Sequence, residues 1–502
     1  MKHIALSICI AFTALPIAHA QVSSTTLPAH TRFRVKDLDG GAHAIVAESP
    51  FGFDSSHVAY ATASADWTLQ PVAERRFTTD PLWFLFDAAP APNGMFVTGT
   101  LTNTYRPQLH FINNDGSLAW CTGFDGMNAS QTRFSVLVSE GANAVGYSNA
   151  DGLAGDATYR VETDQAGSSF TLRRISTTDN LTFRLFTACG AGAPSEHLVG
   201  GVGITTGVGD IQALLGRFTT TGAAWLKQYE MGSNGLTEEL DGIVRLSGGG
   251  AACAITLSKD APASIGAVMR VNDAGDVLWC NTLNFPGGLM LSAITEMGNG
   301  DLLVAGSDLT GRGVLLRLDA SGTLLWSRKC ASCFYNTINA FHRDAANTLY
   351  GLGRGTLFTL DESGVGCGFD ALIDVTSTPY TPVITTLHPT VDMSPAVTTT
   401  AMAMLTRGPV SSATPDCTTT GIMERTADPA VLSARPQPTT GMLYLDPGDP
   451  LAANEPVHVF DITGAQVYRG AYGDGLDLQH LRSGVYSVEL PIRHLRTLVI
   501  KE

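Results

Sequence analysis

Asp319-Ala320-Ser321-Gly322-Thr323-Leu324-Leu325-Trp326 decides the fold, because its pattern returns along the chain. It recurs as Asn114-Asp115-Gly116-Ser117-Leu118-Ala119-Trp120, as Thr220-Thr221-Gly222-Ala223-Ala224-Trp225 and as Asn272-Asp273-Ala274-Gly275-Asp276-Val277-Leu278-Trp279. A worn copy is Asp361-Glu362-Ser363-Gly364. In each full copy a polar turn with a glycine separates two apolar runs, the pattern of two strands joined by a tight turn. A second phrase comes before it: Gly298-Asn299-Gly300 ahead of Asp301 to Gly306, Asn93-Gly94 ahead of Met95 to Gly99, Gly40-Gly41 ahead of Ala42 to Ala47, and Asn347 ahead of Thr348 to Gly353. Asn-Gly and Gly-Gly between apolar runs signal hairpins, since the two-residue turn needs positive φ. Each unit therefore holds two linked hairpins.

The tryptophans set the period. Trp67 to Trp120 spans 53 residues, Trp225 to Trp279 spans 54 and Trp279 to Trp326 spans 47. Trp120 to Trp225 spans 105, two units with an unmarked copy near Phe170. A four-stranded unit of roughly 40–50 residues predicts a propeller blade, whereas a β-solenoid rung is about half as long. About seven units fill residues 31–370, with six and eight the neighbouring counts. A large flat side chain at one fixed strand position suits a wedge between blades better than a ligand platform. The arrangement resembles the propeller repeats with an Asp-x-x-Gly-x-x-x-Trp phrase in bacterial surface proteins, including the quinoprotein-like and outer-membrane assembly types. That resemblance implies a fold and no activity.

Composition agrees with an all-β class. Of 502 residues, 44% are hydrophobic and 15% charged, with 53 glycines to serve many short turns. Met1-Lys2-His3, an apolar run from Ile4 to Ile17 and Ala18-His19-Ala20 read as a cleavable export signal over 1–20. No later run reaches the roughly 18 apolar residues of a transmembrane helix. The formal charge is −15, and losing the signal removes Lys2 and no acid, leaving −16. So acidic a surface repels phosphate backbones and anionic headgroups, which argues against nucleic-acid or membrane-surface partners. Eight cysteines remain after the signal. Cys330 and Cys333 form the one local pair, and a structural disulfide or two buried thiols is the favoured reading, because the metal and redox signatures need partners that are missing.

Residues 21–30 read as an N-terminal arm and 371–430 as a Pro/Thr/Ser-rich linker, with room for one edge strand at its start and an eighth blade over 371–405 as the rival, because repeated prolines (Pro379, Pro382, Pro389, Pro395, Pro409, Pro415) extend a chain and interrupt sheet pairing. Strand signals return from 431 to 502, around Gly441–Leu445, Val457–Phe460, Ala465–Arg469, Leu476–Leu478, Gly484–Glu489 and Arg496–Lys501, and predict a small Ig-like β-sandwich. The landmarks run in order: Pro436 and Pro438, then Gly441-Met442-Leu443-Tyr444, Asp461 to Gly464, Leu476-Asp477-Leu478, Gly484-Val485-Tyr486 and a terminal segment with Lys501. This order resembles the type A sorting domain of type IX secretion, apart from Gln437 and Ala465, which depart from the usual residues. The resemblance implies passage through the outer membrane, recognition by the type IX secretion machinery, and release or anchoring at the outer cell surface.

Searching for chemistry yields near misses. Gly146-Tyr147-Ser148-Asn149-Ala150 lacks the second glycine of a nucleophile elbow and reads as a loop. Gly201-Val202-Gly203 and Gly351 to Gly355 read as turns with no helix start behind them. Asn149, Asp151 and Asp156 read as a solvated turn rather than a calcium loop. His43, His57, His197, His342 and His388 are scattered, and no metal-ligand or catalytic pattern, and no cofactor, is assigned. The expectation is a non-catalytic binding module for an extracellular protein or glycan. The rival is a secreted hydrolase or lyase acting on polysaccharide, which requires carboxylates or histidines to converge at one mouth of the central channel.

Overall fold

The computed structural model describes residues from Ser23 to Lys501 with breaks, the longer ones at 1–22, 51–55, 64–74, 152–156, 258–263, 361–367, 408–413, 419–432 and 447–454. The proposed signal, Trp67 and the worn copy at Asp361 to Gly364 therefore lie outside the described residues. The chain divides into two units, Met1–Met423 and Glu424–Glu502.

The first unit is a seven-bladed propeller whose seven described sheets each have five strands. Neighbouring blades meet through their first strands. These are Arg32–Asp37, Trp83–Ala91, Gln131–Glu140, Leu181–Gly190, Glu238–Arg245, Met290–Glu296 and Ala340–Arg343 for blades 1 to 7. The sheets therefore converge on an axis through their first strands and diverge outward. Within each sheet the strands are antiparallel, so the two hairpin phrases of the repeat fall on one face of the ring.

The repeat phrase is an inter-blade lock. Trp120 Nε1 donates to the Gln165 carbonyl at 2.9 Å, Trp225 Nε1 to Asp273 O at 3.0 Å and Trp279 Nε1 to Ala320 O at 3.2 Å. Each acceptor lies in the last hairpin of the following blade. The glycine of that hairpin seats the ring: at Gly275, with φ +77°, an added β-carbon would fall 2.8 Å from the Trp225 indole. One phrase thus supplies both halves of the joint, a glycine for the blade before and a tryptophan for the blade after. Blade 3 has no tryptophan there, and its Phe170 packs back against Trp120 of blade 2, with centroids 5.7 Å apart.

Two expectations are corrected. Residues 21–30 are not a free arm, because Ser23–Thr26 pairs with Thr356–Leu360 as the fourth strand of blade 7 and closes the ring. Nor is 371–430 a linker through its length. Seven short strands between Ala371 and Thr418 add a fifth, outermost strand to every blade, visiting blades 6, 5, 4, 3, 2, 1 and 7 in turn. The chain therefore winds once around the propeller against the direction in which the blades were laid down. Prolines permit this because an outermost strand pairs on one edge only, and Pro379 and Pro389 sit at strand ends. Phe369, Leu387, Ile373, Val375, Val391 and Val397 turn inward from this belt and pack into the cores between blades. The last belt strand, Thr414–Thr418, pairs with Ser23–Thr26, so both ends of the unit meet at the closing blade.

The second unit is a β-sandwich of a three-stranded sheet (Ser433–Arg435, Met442–Asp446, Leu476–Asp477) and a four-stranded one (Gln466–Tyr472, Glu455–Asp461, Gly484–Leu490, Leu495–Lys501). Leu443 and Leu445 from one sheet share a core with Val457, Val459, Val488 and Val499 from the other. All six strands expected from the sequence are present within two or three residues of their expected ends.

Candidate functional site

Where the first strands of blades 7, 1, 2 and 3 converge, their ends border an open depression of about 410 Å³ lined by Val35, Asp37, Pro90, Ala91, Pro92, Ser139, Gly141 and His342. The wall is mostly apolar, with Asp37 and His342 as its ionisable groups. A concave, largely apolar space with a few convergent polar groups is the usual form of a ligand site.

Asp37 and His43 flank the first hairpin of blade 1 and stand opposite each other in register. His342 comes from the first strand of blade 7, which the closing of the ring brings alongside. Asp37 Oδ1 lies 3.1 Å from His43 Nδ1 and 2.9 Å from His342 Nε2. The Tyr350 ring stacks beside His342, with centroids 6.2 Å apart and planes at 27°, and meets His43 edge-on at 6.3 Å. Its hydroxyl donates to Asp344 Oδ2 at 3.1 Å. One pinned aromatic ring therefore holds both imidazoles. Burial pushes the Asp37 carboxyl up, but hydrogen bonding and charge from His342 and then His43 outweigh it and leave it below its ordinary value. Burial pushes His43 down against the opposing pull of Asp37.

This corrects the reading of the histidines as scattered. His43 and His342, 299 residues apart in the chain, meet at one carboxylate. The remaining histidines serve elsewhere. His197, fully buried, joins Glu140 at 3.0 Å to the Tyr147 hydroxyl at 3.1 Å and braces blade 3 against blade 4. Burial and then the charge of Arg160 push His197 down to about 4. His388 is exposed beside Asp179 at 3.3 Å, and His57 lies outside the described side chains.

The other near misses resolve into sheet. Gly146 to Ala150 runs inside the strand Asn143–Asp151, not a loop, and the Asn149 side chain bridges to both backbone groups of Leu185 at 2.9 Å, so it is neither a solvated turn nor a calcium ligand. Gly201 and Gly203 lie within the strand His197–Thr205. A side chain at Gly201 would strike the Arg184 carbonyl, so that glycine serves close backbone approach. Gly351 likewise lies in the strand Leu349–Leu352.

Cys330 is buried and disulfide-bonded, while the Cys333 side chain lies outside the described residues. Cys121, Cys189, Cys253 and Cys280 are free thiols. Burial pushes the thiols of Cys121, Cys189 and Cys280 up to about 12, so they are packing groups rather than nucleophiles.

Among the sorting-domain landmarks, Gly441 accepts from Leu478 N at 2.8 Å, and a β-carbon on it would fall 2.4 Å from the Gln479 side chain. Tyr486 is buried and its hydroxyl donates to Arg482 O at 2.7 Å, tying the start of the Gly484–Leu490 strand to the turn before it. Lys501 is buried at the end of the last strand, where Thr439 bridges to it. Asp461 ends the strand Glu455–Asp461. Pro436, Pro438 and Gly464 lie outside the described residues.

No family model matches the chain, and no curated protein matches it. Among solved structures it is similar to YCF48 bound to D1 peptide, at 13% identity and a TM-score of 0.42, over 68% of this chain and 96% of that one. It is also similar to a protein of unknown function from Bacteroides caccae, at 11% identity and a TM-score of 0.35, over 62% of this chain and 94% of that one. Among the described residues no helix is long and apolar enough to cross a membrane.

Proposed function

We propose that this chain is an exported binding module whose propeller holds a protein or glycan ligand at the cavity between blades 7, 1, 2 and 3. The cavity itself carries the reading: about 410 Å³ of mostly apolar wall built from Val35, Pro90, Ala91 and Pro92, with Asp37 and His342 to orient a polar group. Export and delivery rest on the sequence: the N-terminal signal, the ordered landmarks from Pro436 to Lys501, and a charge of −15 that suits a solvated surface. On this reading the C-terminal unit is recognised by the type IX secretion machinery, and the protein is secreted or anchored at the outer cell surface. Glycan-array binding and capture of surface proteins with the chain from residue 21 test it, binding at a saturable site being the expected result.

One observation favours a rival. The meeting of Asp37, His43 and His342 beside the cavity is the convergence that a hydrolase or lyase acting on polysaccharide requires. Against a glycoside hydrolase stands the single carboxylate among the described lining residues, since that chemistry uses a pair. Release of new reducing or unsaturated ends from polysaccharide would decide for the enzyme.

A further inference from the structure

We propose that Asp37, His43 and His342 form a site for a divalent first-row transition ion, with its open position facing the cavity. One ligand atom from each residue lies within 4.8 Å of the other two, and the two edges through Asp37 Oδ1 measure 2.9 and 3.1 Å. Bond lengths of about 2.0–2.1 Å in a tetrahedral zinc site place its ligand atoms about 3.3 Å apart, so the two edges through Asp37 Oδ1 need lengthen by only a few tenths of an ångström. Two imidazoles and one carboxylate are a ligand set for zinc, iron, cobalt or nickel rather than for calcium or magnesium, which prefer oxygen.

Placement supports the assignment. His43 is buried behind the cluster, while Asp37 and His342 reach the cavity wall. Three protein ligands on the inner side leave the fourth direction toward about 410 Å³ of space, the arrangement in which a metal takes water or a donor atom of a bound molecule. The Tyr350 ring flanks both imidazoles and is itself tied to Asp344, which restricts their movement. Asp37 pairs with His43 across the first hairpin of blade 1 and meets His342 across the closing joint, so both imidazoles converge on one carboxylate oxygen.

Calorimetric titration of the chelator-stripped chain from residue 21 with zinc alone tests this, since it needs no knowledge of the cavity's ligand. The expected result is one strong equivalent, weakened more than about tenfold in His342→Gln and in His43→Gln. His388→Gln, which removes an exposed histidine beside Asp179, should leave it unchanged. Glutamine keeps a hydrogen-bond donor toward Asp37, and the metal-free thermal midpoint shows whether each variant is folded. Should either variant unfold, cobalt loading of the parent chain answers instead: an intense visible band of a four- or five-coordinate imidazole site is expected. Absence of stoichiometric zinc binding by the parent, the same affinity in folded His342→Gln, or no such cobalt band would overturn the site.

Discussion

The indole of Trp279 in blade 5 lies so close over Gly322 of blade 6 that a β-carbon on the glycine would fall 2.8 Å from the ring. Gly322 also has φ +89°, a conformation that L side chains resist. Gly300 has a comparable φ of +85° but open space around it. The pair separates backbone strain from packing. Gly300→Ala should cost about 1 kcal/mol, and Gly322→Ala about 2–4 kcal/mol, because the ring must also be displaced. Urea unfolding of the two variants measures the difference. Equal losses would mean that the tryptophan does not lock the blades.

The belt makes a prediction about where the chain can be cut. Ending it after residue 370 strips the outermost strand from every blade and leaves Ser23–Thr26 with one partner, Thr356–Leu360. The five long fourth strands, those of blades 2 to 6, would then present unpaired edges, an invitation to aggregate. Ending it after 423 keeps the belt. The shorter protein should be aggregation-prone and readily proteolysed and the longer one cooperative in unfolding, as light scattering and limited proteolysis would show.

Glu238 predicts a dependence on pH. Burial pushes its carboxyl up to about 7 from 4.5, although Met231 N donates to it at 2.7 Å. The folded form keeps its proton through a range where the unfolded chain has lost it. The contribution to stability is therefore full below about pH 4.5 and lost as pH rises through about 7. Glu238→Gln cannot ionise, so relative to the parent it should gain stability between pH 5 and pH 8, by on the order of 1–3 kcal/mol. Denaturant midpoints at both pH values check it, and a constant difference would count against a buried neutral carboxyl.

Deleting 431–502 should leave a folded propeller that is retained in the periplasm, because on this account the C-terminal unit is an address and not part of the ring. Cell fractionation gives the answer, and arrival of the shortened chain at the surface would refute the sorting role.

Much of this architecture was legible in the sequence. The glycine and tryptophan of each Gly-x-x-x-Trp phrase serve the joints to the blade before and the blade after, and both lie within a single repeat, so periodicity exposed blades, hairpins and packing together. The sandwich strands were legible for the same reason, each being a short alternating run bounded by turn residues. The belt was not. Its strands are two to five residues long, half-buried or exposed where their side chains are described, and held by pairing to blades already complete, so local composition showed only Thr, Ser and Pro. Ser23–Thr26 was hidden likewise, since its partner at Thr356–Leu360 lies more than 300 residues away. Two of the three residues had left a signal: the Gly40-Gly41 hairpin phrase lies between Asp37 and His43, which pair across the two strands it joins. His342 could join them only through ring closure, which a linear reading does not supply.

The most direct test of the central claim is ligand binding by the chain from residue 21 compared with Ser139→Trp, which places an indole into the cavity from the end of a blade 3 strand. A glycan or surface protein bound by the parent should be bound at least about tenfold more weakly by the folded variant. Equal binding by the two, or no saturable binding of any glycan or surface protein by the parent, would contradict it.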